Sequence, residues 1–121
     1  MKVAISAQTN DIDALVDPRF GRAPWFIIAD SETGDWHARD NAANVSASGG
    51  AGVQAGSAVA SEGVKAVITG NVGPNAHKVL VAAGITIHQA GNGVTVRDAL
   101  AAFTTGDLPV AQAPTMGGHW A

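Results

Sequence analysis

From Gly49 to Phe103 apolar stripes at helical spacing alternate with glycine stops and short apolar runs, without an internal repeat. Gly49-Gly50-Ala51-Gly52 opens a helix whose Val53, Gly56, Ala60 and Val64 share one face, with Gly63 as its stop and Val64 just beyond. Ala66-Val67-Ile68-Thr69 reads as a strand covered on both sides. Pro74 suits the first turn of a second helix, which buries Ala76, Val79, Leu80 and Ala83 and ends at Gly84. Ile85-Thr86-Ile87 is a further short strand. Thr95 and Asp98 then make an Asp version of the capping box for a third helix, with Val96, Ala99, Leu100 and Phe103 inward. Strands joined through helices must run parallel, with right-handed crossovers, so this half of the chain has few solutions.

The first forty residues follow another rule. Lys2 to Ser6 alternates as a strand, with Val3 and Ile5 on one face. Trp25 to Asp30 reads as a buried strand, Thr33-Gly34 as a turn, and Asp35 to Arg39 as its antiparallel return. Asn41 to Ser48 is small and polar, hence loop. The sum is an α/β chain with a mixed five-stranded sheet and helices on both faces. At 121 residues it makes one domain, over 1–104; the segment 105–121 lacks periodicity and reads as a flexible tail.

Composition narrows the functions. With no cysteine, disulfides, thiolate zinc and cysteine-ligated iron–sulfur clusters are excluded. A net charge of −3 argues against a general nucleic-acid binder. No apolar run approaches the roughly 20 residues of a membrane helix, and no signal-peptide pattern opens the chain, so a cytoplasmic address is expected.

In sheets of this kind ligands gather beyond the carboxyl ends of the strands. Two segments belong there. Val16-Asp17-Pro18-Arg19-Phe20-Gly21-Arg22-Ala23-Pro24-Trp25-Phe26 concentrates arginine and aromatics in a chain poor in both. Arg19 and Arg22 either pair with Asp11, Asp13 or Asp17 or clamp an anion, with Gly21 permitting close approach. Thr69-Gly70-Asn71-Val72-Gly73-Pro74-Asn75-Ala76-His77 runs from a strand through a glycine turn into a helix, where outward N–H groups and the macrodipole favour negative charge. Asn71, Asn75 and His77 add side-chain donors. The glycines of Gly50 to Gly56 suit tight helix packing better than dinucleotide binding, since no strand directly precedes them. Asn44, Ser46 and Ser48 lie just ahead of that helix and could add donors. Asp11, Asp13, Asp17 and Asp30 could together hold magnesium. His37, His88 and His119 lack metal-ligand spacing, as does the terminal Gly118-His119-Trp120.

The arginine loop from Val16 to Phe26, the Gly49 to Gly52 helix start and the Ile68 to Ala76 turn occur in one order. In that combination the chain resembles the dinitrogenase iron–molybdenum cofactor biosynthesis family over about residues 1–104. The resemblance implies a ribonuclease-H-like three-layer α/β/α fold. It also implies a non-enzymatic carrier of an anionic metal–sulfur cluster. The cargo that the resemblance implies is a molybdenum–copper sulfide cluster held non-covalently, without cysteine ligands; another anionic metal–sulfur cluster is the alternative. Carried onto this sequence, the binding residues are Arg19, Gly21, Arg22, Asn71, Val72, Gly73, Asn75 and His77. No residue is expected to ligate the metal, and cluster donor or acceptor proteins are the expected partners of a monomer. The competing reading is a ribonuclease-H-like metal-dependent phosphoesterase using Asp11, Asp13, Asp17 or Asp30.

Overall fold

The computed structural model describes residues 1–45 and 50–114. In chain order the elements are β1 (Lys2–Ala7), β2 (Trp25–Asp30), β3 (Trp36–Asp40), α1 (Ala42–Val45), α2 (Ala51–Ser61), β4 (Ala66–Thr69), α3 (Pro74–Ala82), β5 (Thr86–Gln89) and α4 (Val96–Thr104). The strands form one five-stranded sheet in the order β3-β2-β1-β4-β5. β1 pairs with β2, and β2 with β3, antiparallel; β4 pairs parallel with both β1 and β5. The expected mixed sheet is present. Because α2, α3 and α4 each connect to or follow a parallel strand, all three begin at the edge where β1, β4 and β5 end.

Two apolar layers sandwich the sheet. On one face Phe26, Ile28, Val67 and Ile87 meet Ala55 and Val59 of α2 and Ala76 and Leu80 of α3. On the other, Val3, Ile5, Ile27 and Ile68 meet Val96 and Ala99 of α4, with Leu100 and Phe103 packed alongside. Val3 and Ile5 do share a face, and the residue between them, Ala4, is buried on the opposite one.

Four expectations need correction. Val53 is 39% exposed, whereas Gly52, Ala55, Gly56 and Val59 face inward. The cause is the contact between α2 and α3: a Cβ on Gly56 would sit 2.9 Å from Val79 Cγ1, so the small-residue stripe turns to α3. Ala83 lies past the end of α3 and is exposed. Residues 42–45 are helical, because Asn41 accepts Asn44 N–H at 3.0 Å and Val45 N–H at 3.2 Å through its carbonyl. The C-terminal segment is not free from residue 105 onward. Gln89 N–H donates to Pro109 O at 2.9 Å and Ala111 N–H to Ile87 O at 2.8 Å, so residues 109–111 close the β5 edge. Leu108 packs on one core layer and Ala111 on the other. Ser46, Ser48, Gly49 and the Gly118-His119-Trp120 terminus lie outside the described residues.

Under that closing segment His88 stacks edge-on against Phe103, with ring centroids 4.8 Å apart. Desolvation holds its pKa below the usual 6.5, only partly offset by a backbone hydrogen bond at Leu108. A histidine more easily protonated when unfolded stabilises the fold above that value and loses its contribution as pH falls. Denaturant melts from pH 7 downward are expected to show declining stability below about 6.5, with the decline reduced in His88→Met.

Candidate anion site at the carboxyl edge

The polypeptide from Gln8 to Pro24 reaches this edge in two limbs. In the first, Asp13 N–H donates to Asp11 Oδ1 at 2.8 Å, an Asx turn that bends the chain back. Val16 then bridges Ala7, and Val16 N–H donates to Val94 O at 2.9 Å. The carbonyls of Ile12 and Ala14 accept the N–H groups of Arg97 and Val96, both at 2.8 Å. With Thr95 Oγ1 accepting from Asp98 N–H at 3.1 Å, the first three amides of α4 are all used inside the protein.

The second limb carries the arginines, and it is stitched directly to the turn after β4. Asn71 N–H donates to Pro18 O at 2.8 Å, and Phe20 N–H returns to Asn71 O at 3.2 Å. Ser6, at the end of β1, lies below this stitch. Its hydroxyl lies 2.7 Å from Asp17 O and 2.7 Å from Thr69 Oγ1. Ser6 has a single proton, so when it donates to Asp17 the Thr69 hydroxyl donates to Ser6. The Phe20 and Phe26 rings, 5.2 Å apart, seat the loop in the core. Gly70 passes so close to Pro18 that an added Cβ would lie 2.7 Å from Pro18 Cα and 2.9 Å from its carbonyl oxygen. The two segments that sequence placed at carboxyl ends are one structure.

Within it, Asp17 is buried and accepts Arg19 N–H at 2.9 Å; the Arg19 guanidinium reaches the same carboxylate at 3.4 and 3.5 Å. Those long contacts leave the Arg19 side chain 46% exposed. Arg22 Nη1 donates to Val45 O at 3.0 Å, tying the loop to α1. This limb thus gathers two guanidiniums, Arg19 and Arg22, and the buried carboxylate of Asp17. Gly21 is buried, and its limb is held by Asn41, whose amide donates to Ala23 O at 2.8 Å and Gly21 O at 3.4 Å. Val72 and Gly73 are buried under the turn, while Asn75 is exposed on the first turn of α3.

The mouths of α2 and α3 contrast with that of α4. Their N-caps, Gly50 and Gly73, have no side chain to accept from the helix. Among the described residues no acceptor pairs with the first amides of α2 (Ala51, Gly52, Val53) or with those of Asn75 and Ala76 in α3. Both helices lie on the same face of the sheet and begin at the edge that carries Arg19. Beside the α2 mouth a hollow of about 550 Å³ is lined by Arg39, Asn41, Asn44, Val53, Gln54 and Ser57.

His77 is placed elsewhere. It lines a hollow of about 320 Å³ with Val81, Ile85, Ile87, Val110 and Ala111, on the β5 flank of α3. No residue of the arginine loop borders that hollow; the His77 N–H donates to Gly73 O at 3.0 Å, and its Nε2 is buried with no hydrogen-bond partner among the described residues. The acids do not converge either. Asp13 pairs with Arg97 at 2.7 Å, Asp11 serves the local turn, and Asp30 lies at the opposite edge beside the N-terminus, 3.7 Å away. Among the described residues no three His, Asp or Glu side chains could hold a metal ion. Ser6 and Asn41, which organise the site, escaped the sequence reading. Their one signal is a polar residue at the end of an apolar strand or just after a charged one.

The family model for dinitrogenase iron–molybdenum cofactor proteins matches residues 1–106. The chain belongs to this family. The apo form of the orange protein from Desulfovibrio gigas superposes with a TM-score of 0.92 at 41% identity, covering 95% of this chain and 96% of that one. A putative NifB protein from Thermotoga gives a TM-score of 0.82 at 35% identity, covering 95% and 97%. An uncharacterized protein of Methanocaldococcus jannaschii is 31% identical over 110 residues, 89% of each chain. The family and these likenesses point to a cofactor-binding or carrier role for metal clusters.

Because Gly70 meets Pro18 backbone rather than a flexible side chain, Gly70→Ala should force the two loops apart. A loss of about 1–3 kcal/mol in urea unfolding is expected, as for an overpacked core. Amide exchange at Phe20 and Asn71 should accelerate more than exchange in β1.

Proposed function

We infer that this protein is a non-enzymatic carrier of an anionic metal–sulfur cluster, of the molybdenum–copper sulfide type, held without metal–protein bonds at the carboxyl edge of the sheet. One observation carries the reading: among the described residues the first amides of α2 and α3, at the sheet edge that carries Arg19, have no internal acceptor, while those of α4 are all used. A cluster that brings its own sulfides asks for positive charge, N–H donors and apolar walls. Arg19 and Arg22 supply the charge, and the amides of α2 and α3 supply the donors. Gly21, Val72 and Gly73 let backbone approach the cargo, and Asn71 and Asn75 add amide donors. His77, turned to the β5 flank, takes no direct part. The ribonuclease-H-like description of the fold is supported by the strand order, three antiparallel strands followed by two parallel ones with helices on both faces.

No helix among the described residues is long and apolar enough to cross a membrane, in keeping with a cytoplasmic carrier that exchanges its cluster with donor and acceptor proteins. The phosphoesterase alternative draws little support from the scattered carboxylates.

Titrating apoprotein with thiomolybdate and copper tests the reading. Binding should weaken with salt, because exposed charge contacts are screened over about 8–10 Å near physiological ionic strength. Arg19→Ala should cost about fivefold in affinity, ~1 kcal/mol, at low salt and less at high salt. Its melting temperature should stay near that of the parent, since Arg19 is a surface side chain. His77→Gln should leave the visible spectrum unchanged. Salt-independent binding would remove the electrostatic clamp.

A further inference from the structure

The two edges of the sheet are finished differently. Residues 109–111 cover β5, but among the described residues no strand pairs with the outer side of β3. Asp30 N–H donates to Asp35 O, and Asn41 N–H to Pro24 O. Odd-numbered residues therefore turn their backbone to β2. Trp36, Ala38 and Asp40 turn their N–H and C=O groups outward. An edge of this kind is a template for another strand unless something blunts it.

The side chains of β3 say which strand. Trp36 is 41% exposed and lies opposite Ala29; Ala38 lies opposite Ile27, so both share the face that carries α4. Trp25 and Ala38 pack on that layer, and the exposed Trp36 extends it as an apolar strip at the sheet's open end. The neighbouring charges are mixed: Asp35, His37, Arg39 and Asp40. Such an edge does not select a partner of one sign. It is complementary to itself.

We propose that two copies of this chain pair antiparallel along β3 about a two-fold axis at His37, continuing one sheet through both. In that register Asp35 faces Arg39 of the second copy, twice. Trp36 faces Ala38 of the second copy, also twice, on the outward hydrogen-bonding positions. Arg39 already donates to Glu62 at 2.7 Å, and a guanidinium has donors left for a second carboxylate. A five-residue seam buries little surface, so the dimer is weak and concentration-dependent. The monomer expected from sequence is then only its dilute form.

The chain has no cysteine, which makes the register directly testable. The two His37 residues form a non-hydrogen-bonded pair, with Cα atoms about 4.5 Å apart, inside the range a disulfide spans. His37→Cys should give a covalent dimer on mild oxidation, while the exposed control Ser61→Cys stays monomeric. Sedimentation of the parent should show mass rising toward twice the monomer with concentration. Ala38→Pro removes only an outward N–H, so it should keep the native circular dichroism and stay monomeric. Cross-linking of His37→Cys no faster than of Ser61→Cys would overturn the proposal. So would a parent that stays monomeric at every concentration, or a dimer that a folded Ala38→Pro leaves intact.

Discussion

The carboxyl edge depends on a short stitch of hydrogen bonds between segments more than fifty residues apart. Asn71 exchanges two backbone bonds with Pro18 and Phe20, and the Ser6 hydroxyl joins the Asp17 carbonyl to Thr69. All of this is buried or nearly so, where an unmade hydrogen bond costs about 1–3 kcal/mol. The bonds are therefore kept, and their geometry positions everything above them. Phe20 is driven into the core, Arg19 is left at the rim, and the turn into α3 is held against the loop. Close approach at Gly70 lets the two backbones meet at all.

The same edge distributes helix amides unequally. The carbonyls of Ile12 and Ala14 and the Thr95 hydroxyl consume those of α4, so that mouth has nothing to offer a ligand. The α2 and α3 mouths begin with glycine caps, which approach closely but accept nothing. Donors without internal acceptors among the described residues, at the edge that carries a half-exposed guanidinium, suit an anion that is itself rich in acceptors.

Much of the framework was legible along the chain. The five strands, the three long helices and the faces of β1 and α4 follow from local apolar period and glycine stops. The α2 face was misjudged because it is set by contact with α3, where Gly56 against Val79 outweighs the larger Val53 side chain. The C-terminal segment was misjudged because its few apolar residues have no period; they are ordered by backbone bonds to β5. At the site, Arg19, Gly21, Arg22 and Asn71 stood out by type and spacing. Ser6 and Asn41 did not, since a single serine or asparagine is common and its burial is invisible in sequence.

The sequence by itself determined the α/β class, a mixed sheet and two segments at the carboxyl ends of strands. Those rest on short-range pattern and on the handedness of strand–helix–strand connections, both local properties of the chain. Only the tertiary structure decided that Arg19 keeps its side chain at the rim while Arg22 reaches back to α1. It alone put His77 on the β5 flank and left the first amides of α2 and α3, but not of α4, without acceptors among the described residues. Each of those depends on which distant carbonyl or side chain arrives first at a donor, and no local pattern carries that information.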